Sequence, residues 1–249
     1  MKPYIKALVF GLFLLLPAAS GAVVVIDPGH GGYDNGLVHI TSTGKEIKEK
    51  DVALQISLDL LTDLRARGGH GRLTREVDRN MSISERIAAV GSKPVTAFLS
   101  LHLSDNGSFN IYIWNKPAQS GDLKSMYLLS NIQALHVDGS AVLAQAVQQA
   151  LKGAFPDRQV AIYQMDLPVL GGIDGPAAMV ESPSAADINY EDPGNAARIA
   201  GALANAVMAA AVGPSAPNPS VPAPGPSGPV KNSPAPPAGR IVPNVPETH

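Results

Sequence analysis

Two histidines and two glutamates carry the strongest chemical signal in this sequence. His30 sits in the run Asp27-Pro28-Gly29-His30-Gly31-Gly32, directly after the apolar stretch Val23-Val24-Val25-Ile26. His102 closes a second apolar stretch, Val95 to Leu101, and Glu181 closes a third, Ala177 to Val180. Glu49 falls in the charged run Lys45-Glu46-Ile47-Lys48-Glu49-Lys50-Asp51, at the first turn of a helix. Two His and one Glu are a common protein ligand set for catalytic zinc, which keeps a position open for water. A further carboxylate beside such a set can serve as general base. Taken singly, each residue has a plainer explanation. A His in a glycine loop often serves a turn, a His after an apolar strand is often a hydrogen-bonded core residue, and charged runs are mostly solvated. The chemistry is favoured because all of them fall at equivalent places in the fold the sequence predicts.

Alternating strands and helices must position these residues. Val23 to Ile26 is β-branched and apolar without alternation, the pattern of a strand buried on both faces. Its glycine- and proline-rich continuation reads as a loop. Val52 to Arg67 places Ala53, Ile56, Leu60 and Leu64 on one helical face, and Gly68-Gly69 ends that helix. A short strand is expected near Gly71 to Thr74. Ser82 and Glu85 form a capping-box pair for a helix running to Val90. Val95 to Leu101 and Phe109 to Trp114 read as strands. Ser140 to Lys152 reads as a helix capped by Ser140. Ala177 to Val180 is a strand, and Asp192-Pro193 opens a last helix that runs to about Val212. The expected fold is α/β, a single domain with a mainly parallel twisted sheet flanked by helices. In such sheets ligands bind at the carboxyl ends of the strands, which is where His30, His102 and Glu181 lie.

The rest of the chain bounds the reading. Of 249 residues, 45% are hydrophobic and 16% charged, enough for one packed core, and the formal net charge of -2 comes without any basic block for nucleic acid. There is no cysteine, so a metal site must use His, Asp or Glu. Residues 1–22 follow the three-part pattern of a secretory signal peptide: Lys2 and Lys6, the apolar run Ala7 to Leu16, then Pro17 and small residues, with cleavage expected between Ser20 and Ala22. The apolar run is too short to span a bilayer. From 213 to 249 prolines recur every few residues with almost no large apolar side chains, the pattern of a disordered proline-rich tail that catalysis should not need. The intervening stretch, 23–212, is the expected catalytic domain.

At this level of detail the chain resembles the zinc-dependent N-acetylmuramoyl-L-alanine amidases, the third amidase type among bacterial cell-wall hydrolases. Val25-Ile26-Asp27-Pro28-Gly29-His30-Gly31-Gly32 resembles the family's opening motif. Glu49-Lys50-Asp51-Val52-Ala53-Leu54, Leu73-Thr74-Arg75, Ser84-Glu85-Arg86, Ser100-Leu101-His102 and Pro176-Ala177-Ala178-Met179-Val180-Glu181 resemble later segments in the family's order, across nearly all of 23–212. The resemblance implies that His30, Glu49 and His102 bind one Zn2+ and that Glu181 is the catalytic base and acid. It also implies a peptidoglycan substrate, a periplasmic or cell-wall location, and a monomer, with an activator protein as a possible partner. Asp27 is expected either to orient a zinc-binding histidine or to hydrogen-bond its own turn.

The chain also departs from the pattern. Relatives commonly carry an Asn two residues after the second histidine, where this chain has Ser104. They follow the catalytic glutamate with a glycine, an aromatic and an asparagine, where this chain reads Ser182-Pro183-Ser184. Some relatives insert a helix whose glutamate plugs the zinc. The corresponding stretch here, 115–139, contains no glutamate, so no such plug is expected, although Leu123 to Leu129 has helical character. His39, His70 and His136 read as surface residues. Two other functions share parts of the pattern: a non-catalytic wall-binding or activator protein derived from an amidase, which should lack a ligand or the base, and a zinc peptidase acting on stem peptides.

Overall fold

The computed structural model describes residues 23–115 and 131–211. The signal-like segment 1–22, the proline-rich tail and the run Leu123 to Leu129 lie outside these residues. The buried β-branched run opens the fold as β1 (Val23–Pro28), followed by a small hairpin of β2 (Val38–Ile40) and β3 (Glu46–Lys48), which pair antiparallel. The chain passes from β3 straight into α1 (Glu49–Ala66), then β4 (His70–Leu73), α2 (Ile83–Val90), β5 (Ala97–Leu103) and β6 (Phe109–Ile113). After α3 (Asn131–Ala134) come α4 (Val137–Ala154), β7 (Val160–Gln164), α5 (Pro168–Gly171), β8 (Ala177–Ser182) and α6 (Pro193–Ala211).

The main sheet has six strands in the order β4-β1-β5-β8-β6-β7. Every pairing is parallel except β6 with β8, which gives the mainly parallel α/β domain that the alternating pattern predicts. Because β6 runs against β8, the start of β6 lies at the same edge as the end of β8, and Asn110 sits opposite Glu181.

The two faces are covered unequally. On one, Ile26, Leu99, Ile111 and Val180 pack against α1, α4 and α6, with Leu60, Val147 and Leu203 fully buried. Burying a side chain of this kind contributes roughly 1.5–3 kcal/mol. On the other face, among the described residues, Val25, Phe98 and Ala177 meet the short α2 and α5 and their flanking loops, through Val90, Val169 and Leu170.

Ser82 and Glu85 make the capping box: Glu85 N donates to Ser82 Oγ at 3.3 Å and Ser82 N donates to Glu85 Oε2 at 2.7 Å. Asp192 Oδ1 accepts from Gly194 N at 2.9 Å at the start of α6. Ser140, however, is not a cap. The helix begins at Val137, and Ser140 lies buried inside its first turns, where its Oγ accepts from Ala177 N at 2.9 Å and so ties α4 to β8. Helix α1 likewise begins at Glu49, before its apolar periodicity starts, because the hairpin feeds directly into it.

Candidate metal centre and active site

Three elements deliver the donor atoms. His30 lies in the loop just past β1, Glu49 is the first residue of α1, and His102 is near the carboxyl end of β5. His30 Nε2 is 2.9 Å from Glu49 Oε1, His102 Nδ1 is 2.9 Å from the same oxygen, and the two ring nitrogens are 3.2 Å apart. Glu49 is fixed before any ligand arrives. Its Oε2 accepts from Leu37 N at 2.8 Å, its Oε1 accepts from Leu103 N at 3.0 Å, and its own N donates to Leu37 O at 2.8 Å. Burial pushes the Glu49 carboxyl upward, but the hydrogen bonds from His102, His30 and the two backbone amides prevail and hold it well below the usual carboxylate range. Burial draws His30 down, and the carboxylates of Glu49 and Asp34 outweigh it and raise the imidazole.

The ring nitrogens and carboxylate oxygen of His30, Glu49 and His102 all lie within 4.8 Å of one another, the one group among the described residues placed to hold a metal ion. The set suits a borderline cation such as zinc, which takes His nitrogen and carboxylate oxygen. Two glycines are part of the construction. A side chain at Gly29 would run into the His102 ring, and one at Gly36 would run into His30 and Glu49.

Glu181 stands beside this group. It is the register partner of His102 across β5 and β8, so both side chains leave the same face of the sheet. Its Oε2 accepts hydrogen bonds from Asn110 Nδ2 and Tyr112 Oη, each at 3.0 Å. Burial raises the Glu181 carboxyl above its ordinary value, and these two donors only partly offset that. A cavity of about 230 Å³ opens next to His30 and His102, with Met81, Ile83, Leu167, Val169 and Met179 in its wall. A cleft of about 270 Å³ between Phe155, Arg158, Asp187 and Arg198 contains none of these groups.

The family model for N-acetylmuramoyl-L-alanine amidase matches residues 24–209. The chain belongs to the N-acetylmuramoyl-L-alanine amidase family. It is 26% identical to the uncharacterized protein YqiI of Bacillus subtilis (strain 168) over 162 residues, 65% of this chain and 69% of that protein. It is 36% identical to the N-acetylmuramoyl-L-alanine amidase LytC of the same organism over 88 residues, 35% of this chain but only 17% of LytC. Its fold matches the N-acetylmuramoyl-L-alanine amidase AmiC2 of Nostoc punctiforme with a TM-score of 0.58 at 22% identity, covering 75% of this chain and 95% of that one.

For this amidase-family chain the structure brings His30, Glu49, His102 and Glu181 to one edge. Asp27 does not orient a histidine. Its oxygens take hydrogen bonds from Thr74 Oγ1 at 2.5 Å, Ser100 Oγ at 2.8 Å and Arg86 Nη1 at 2.8 Å, because it is the register partner of Ser100 and lies below the metal group. The aspartate that reaches His30 is Asp34, 2.8 Å from its Nδ1. A His and an Asp four apart signal a helix face at best, and here they sit in a glycine turn, so spacing could not have found them. Asn110 and Tyr112 were likewise invisible without the antiparallel pairing of β6. Of the two departures from the family pattern, Ser104 turns its hydroxyl to Asn106 O and Ser108 O at 2.8 and 3.0 Å and so shapes the loop, while in the second Ser182 O accepts from Ser104 N at 2.7 Å and Pro183 O accepts from Tyr190 Oη at 2.8 Å. Exposed His70 and half-buried His39 lie apart from the metal group, and His136 pairs with Asp174 at 2.8 Å.

Proposed function

We propose that this chain is a secreted, zinc-dependent N-acetylmuramoyl-L-alanine amidase that hydrolyses the amide joining the lactyl group of N-acetylmuramic acid to L-alanine in peptidoglycan. The observation that carries the reading is the convergence of His30 Nε2, Glu49 Oε1 and His102 Nδ1 with Glu181 in register beside them. Within this reading His30, Glu49 and His102 hold one zinc ion. Bound there, zinc supplies Lewis-acid polarisation of the scissile carbonyl and makes a water molecule more acidic.

The remaining work falls to the chain's own side chains. Glu181 has one oxygen tied to Asn110 and Tyr112, which leaves Oε1 to accept the proton of the attacking water. Its burial makes it a stronger base than a solvated carboxylate. The same oxygen then hands the proton to the departing alanine amine as the C–N bond breaks. The substrate partner is peptidoglycan, with an activator protein as a further possible partner. The chain acts as a monomer, and the signal-like segment 1–22 sends it to the periplasm or cell wall. Among the described residues no helix is long and apolar enough to cross a membrane.

The test is a digest of purified peptidoglycan with zinc content measured in parallel, comparing wild type with Glu181→Ala. The reading requires about one zinc per chain, release of free N-terminal alanine on otherwise intact stem peptides, and a variant that keeps zinc but loses activity. Cleavage within the stem peptides would make the chain a peptidase. Zinc binding without any release would make it a non-catalytic wall-binding protein.

A further inference from the structure

The loop that carries His30 is held in a conformation its sequence resists. His30 has a φ of 56°, the only positive value at a non-glycine position among the described residues, and Gly31 and Gly32 follow at 128° and 63°. A side chain with a Cβ is strained in this region. The carbonyls of Pro28, Gly29, His30 and Gly32 in this turn all meet buried cationic side chains. Arg75 Nε donates to Pro28 O at 3.0 Å, and Arg75 Nη2 donates to Gly29 O at 2.7 Å. Arg86 Nη1 donates to Pro28 O at 2.7 Å and Arg86 Nη2 to His30 O at 2.6 Å. Farther round, Gly32 N donates to Asp78 Oδ1 at 2.7 Å and Gly32 O accepts from Lys50 Nζ at 2.6 Å. Both guanidiniums are buried, with Arg75 2% and Arg86 7% exposed.

We propose that Arg86 is a positioning residue for the metal group: by holding the carbonyls of Pro28 and His30 it keeps His30 in the left-handed conformation that aims Nε2 at Glu49 and His102. The inference rests on the reading that these three residues bind zinc. Arg86 is suited to the task because a planar guanidinium serves several acceptors at once, here Asp27 and two carbonyls, whereas an ammonium on a flexible stem cannot reproduce the fork. Released from it, the loop relaxes, and zinc must reorder the loop as it binds.

The sign of the effect separates positioning from charge. A cation beside a metal site repels the metal, so removing the Arg86 charge and leaving Asp27 unpaired would strengthen zinc binding if electrostatics ruled. Positioning demands the reverse. The experiment is zinc affinity by chelator competition on the full chain for wild type, Arg86→Lys and Arg86→Gln. Thermal unfolding of the metal-free forms and visible absorption of the Co2+ forms are recorded alongside. Both variants should bind zinc at least tenfold more weakly while remaining folded, with a weakened and shifted Co2+ spectrum. Affinity within twofold of wild type, or tighter, in a folded variant would overturn the proposal and leave Arg86 a purely structural residue. Should Arg86→Gln fail to fold, Arg86→Lys decides. Wild type that binds no zinc would sink the metal reading itself, whereas zinc-binding wild type with undiminished variants sinks only the role of Arg86.

Discussion

Tyr112 donates its phenolic hydrogen to Oε2 of Glu181 at 3.0 Å, from a strand that runs opposite to the one carrying the glutamate. Burial and the neighbouring Glu181 charge raise the Tyr112 hydroxyl, so it stays protonated and a donor across the neutral range. The bond favours the ionised form of Glu181 and offsets part of the rise that burial causes. Tyr112→Phe removes that offset. The Glu181 carboxyl then rises further, and less of the base is ionised at a given acidic pH. The acidic limb of the kcat–pH profile should therefore move to higher pH, with a severalfold loss of rate below it and a plateau close to wild type above it. A limb that stays in place, or moves to lower pH, would count against Glu181 as the base.

Asp34 fixes the tautomer and direction of His30 through Nδ1. Outer partners of this kind are worth about 10- to 100-fold in metal affinity. Asp34→Asn should weaken zinc binding by that order, read by competition with a chelator, with little change in thermal stability because Asp34 is exposed. Stripping the metal with excess chelator should abolish hydrolysis, and adding zinc back should restore it.

Gly29 is where a single methyl group should be felt most. Its Cβ would overlap the His102 imidazole, so Gly29→Ala must push that ring off its line to Glu49. A displacement near 1 Å at a catalytic group costs on the order of 100-fold in rate. We expect a loss of that size together with weaker metal binding in a protein that still unfolds cooperatively. Wild-type kinetics from Gly29→Ala would show that the loop can yield.

Leu60 is fully buried between α1 and the sheet, on the face away from Glu181. Leu60→Ala should cost about 2–5 kcal/mol of stability, seen as a lower midpoint in denaturant. Activity at temperatures well below the transition should be unchanged, since Leu60 lies about three helical turns along α1 from Glu49.

The order of strands and helices could be read from the sequence because its signals are local. The β-branched run at Val23 to Ile26, the Ser82–Glu85 capping pair and the Asp192-Pro193 start each specify their own few residues. That His30, His102 and Glu181 would share one edge was legible because parallel sheets bring their carboxyl ends together and all three follow apolar strands, whereas the assignment of Glu49 as a ligand rested on the family resemblance. What escaped depends on contacts between distant segments. The hairpin of β2 and β3 is too short and polar to announce itself. Ser140 reads as a cap until α4 is seen to start at Val137 and α4 and β8 are seen to share it. Asp27 and Asp34 are both carboxylates near His30, and only the turn at Gly31 and Gly32 decides which one reaches the ring.

The unequal cover of the two sheet faces has a consequence for the kind of material this molecule can act on. Among the described residues, long helices pile up on one side, while the side bearing Glu181 carries short helices and loops, and the imidazoles of His30 and His102 remain 22% and 19% exposed. A covalent mesh cannot be threaded into a deep chamber the way a soluble metabolite can. It must be met at a rim, by reactive atoms that protrude to its fibres while the bulk of the catalyst stays behind them. Thin cover on the working side supplies such a rim, and the thick side gives it a rigid backing.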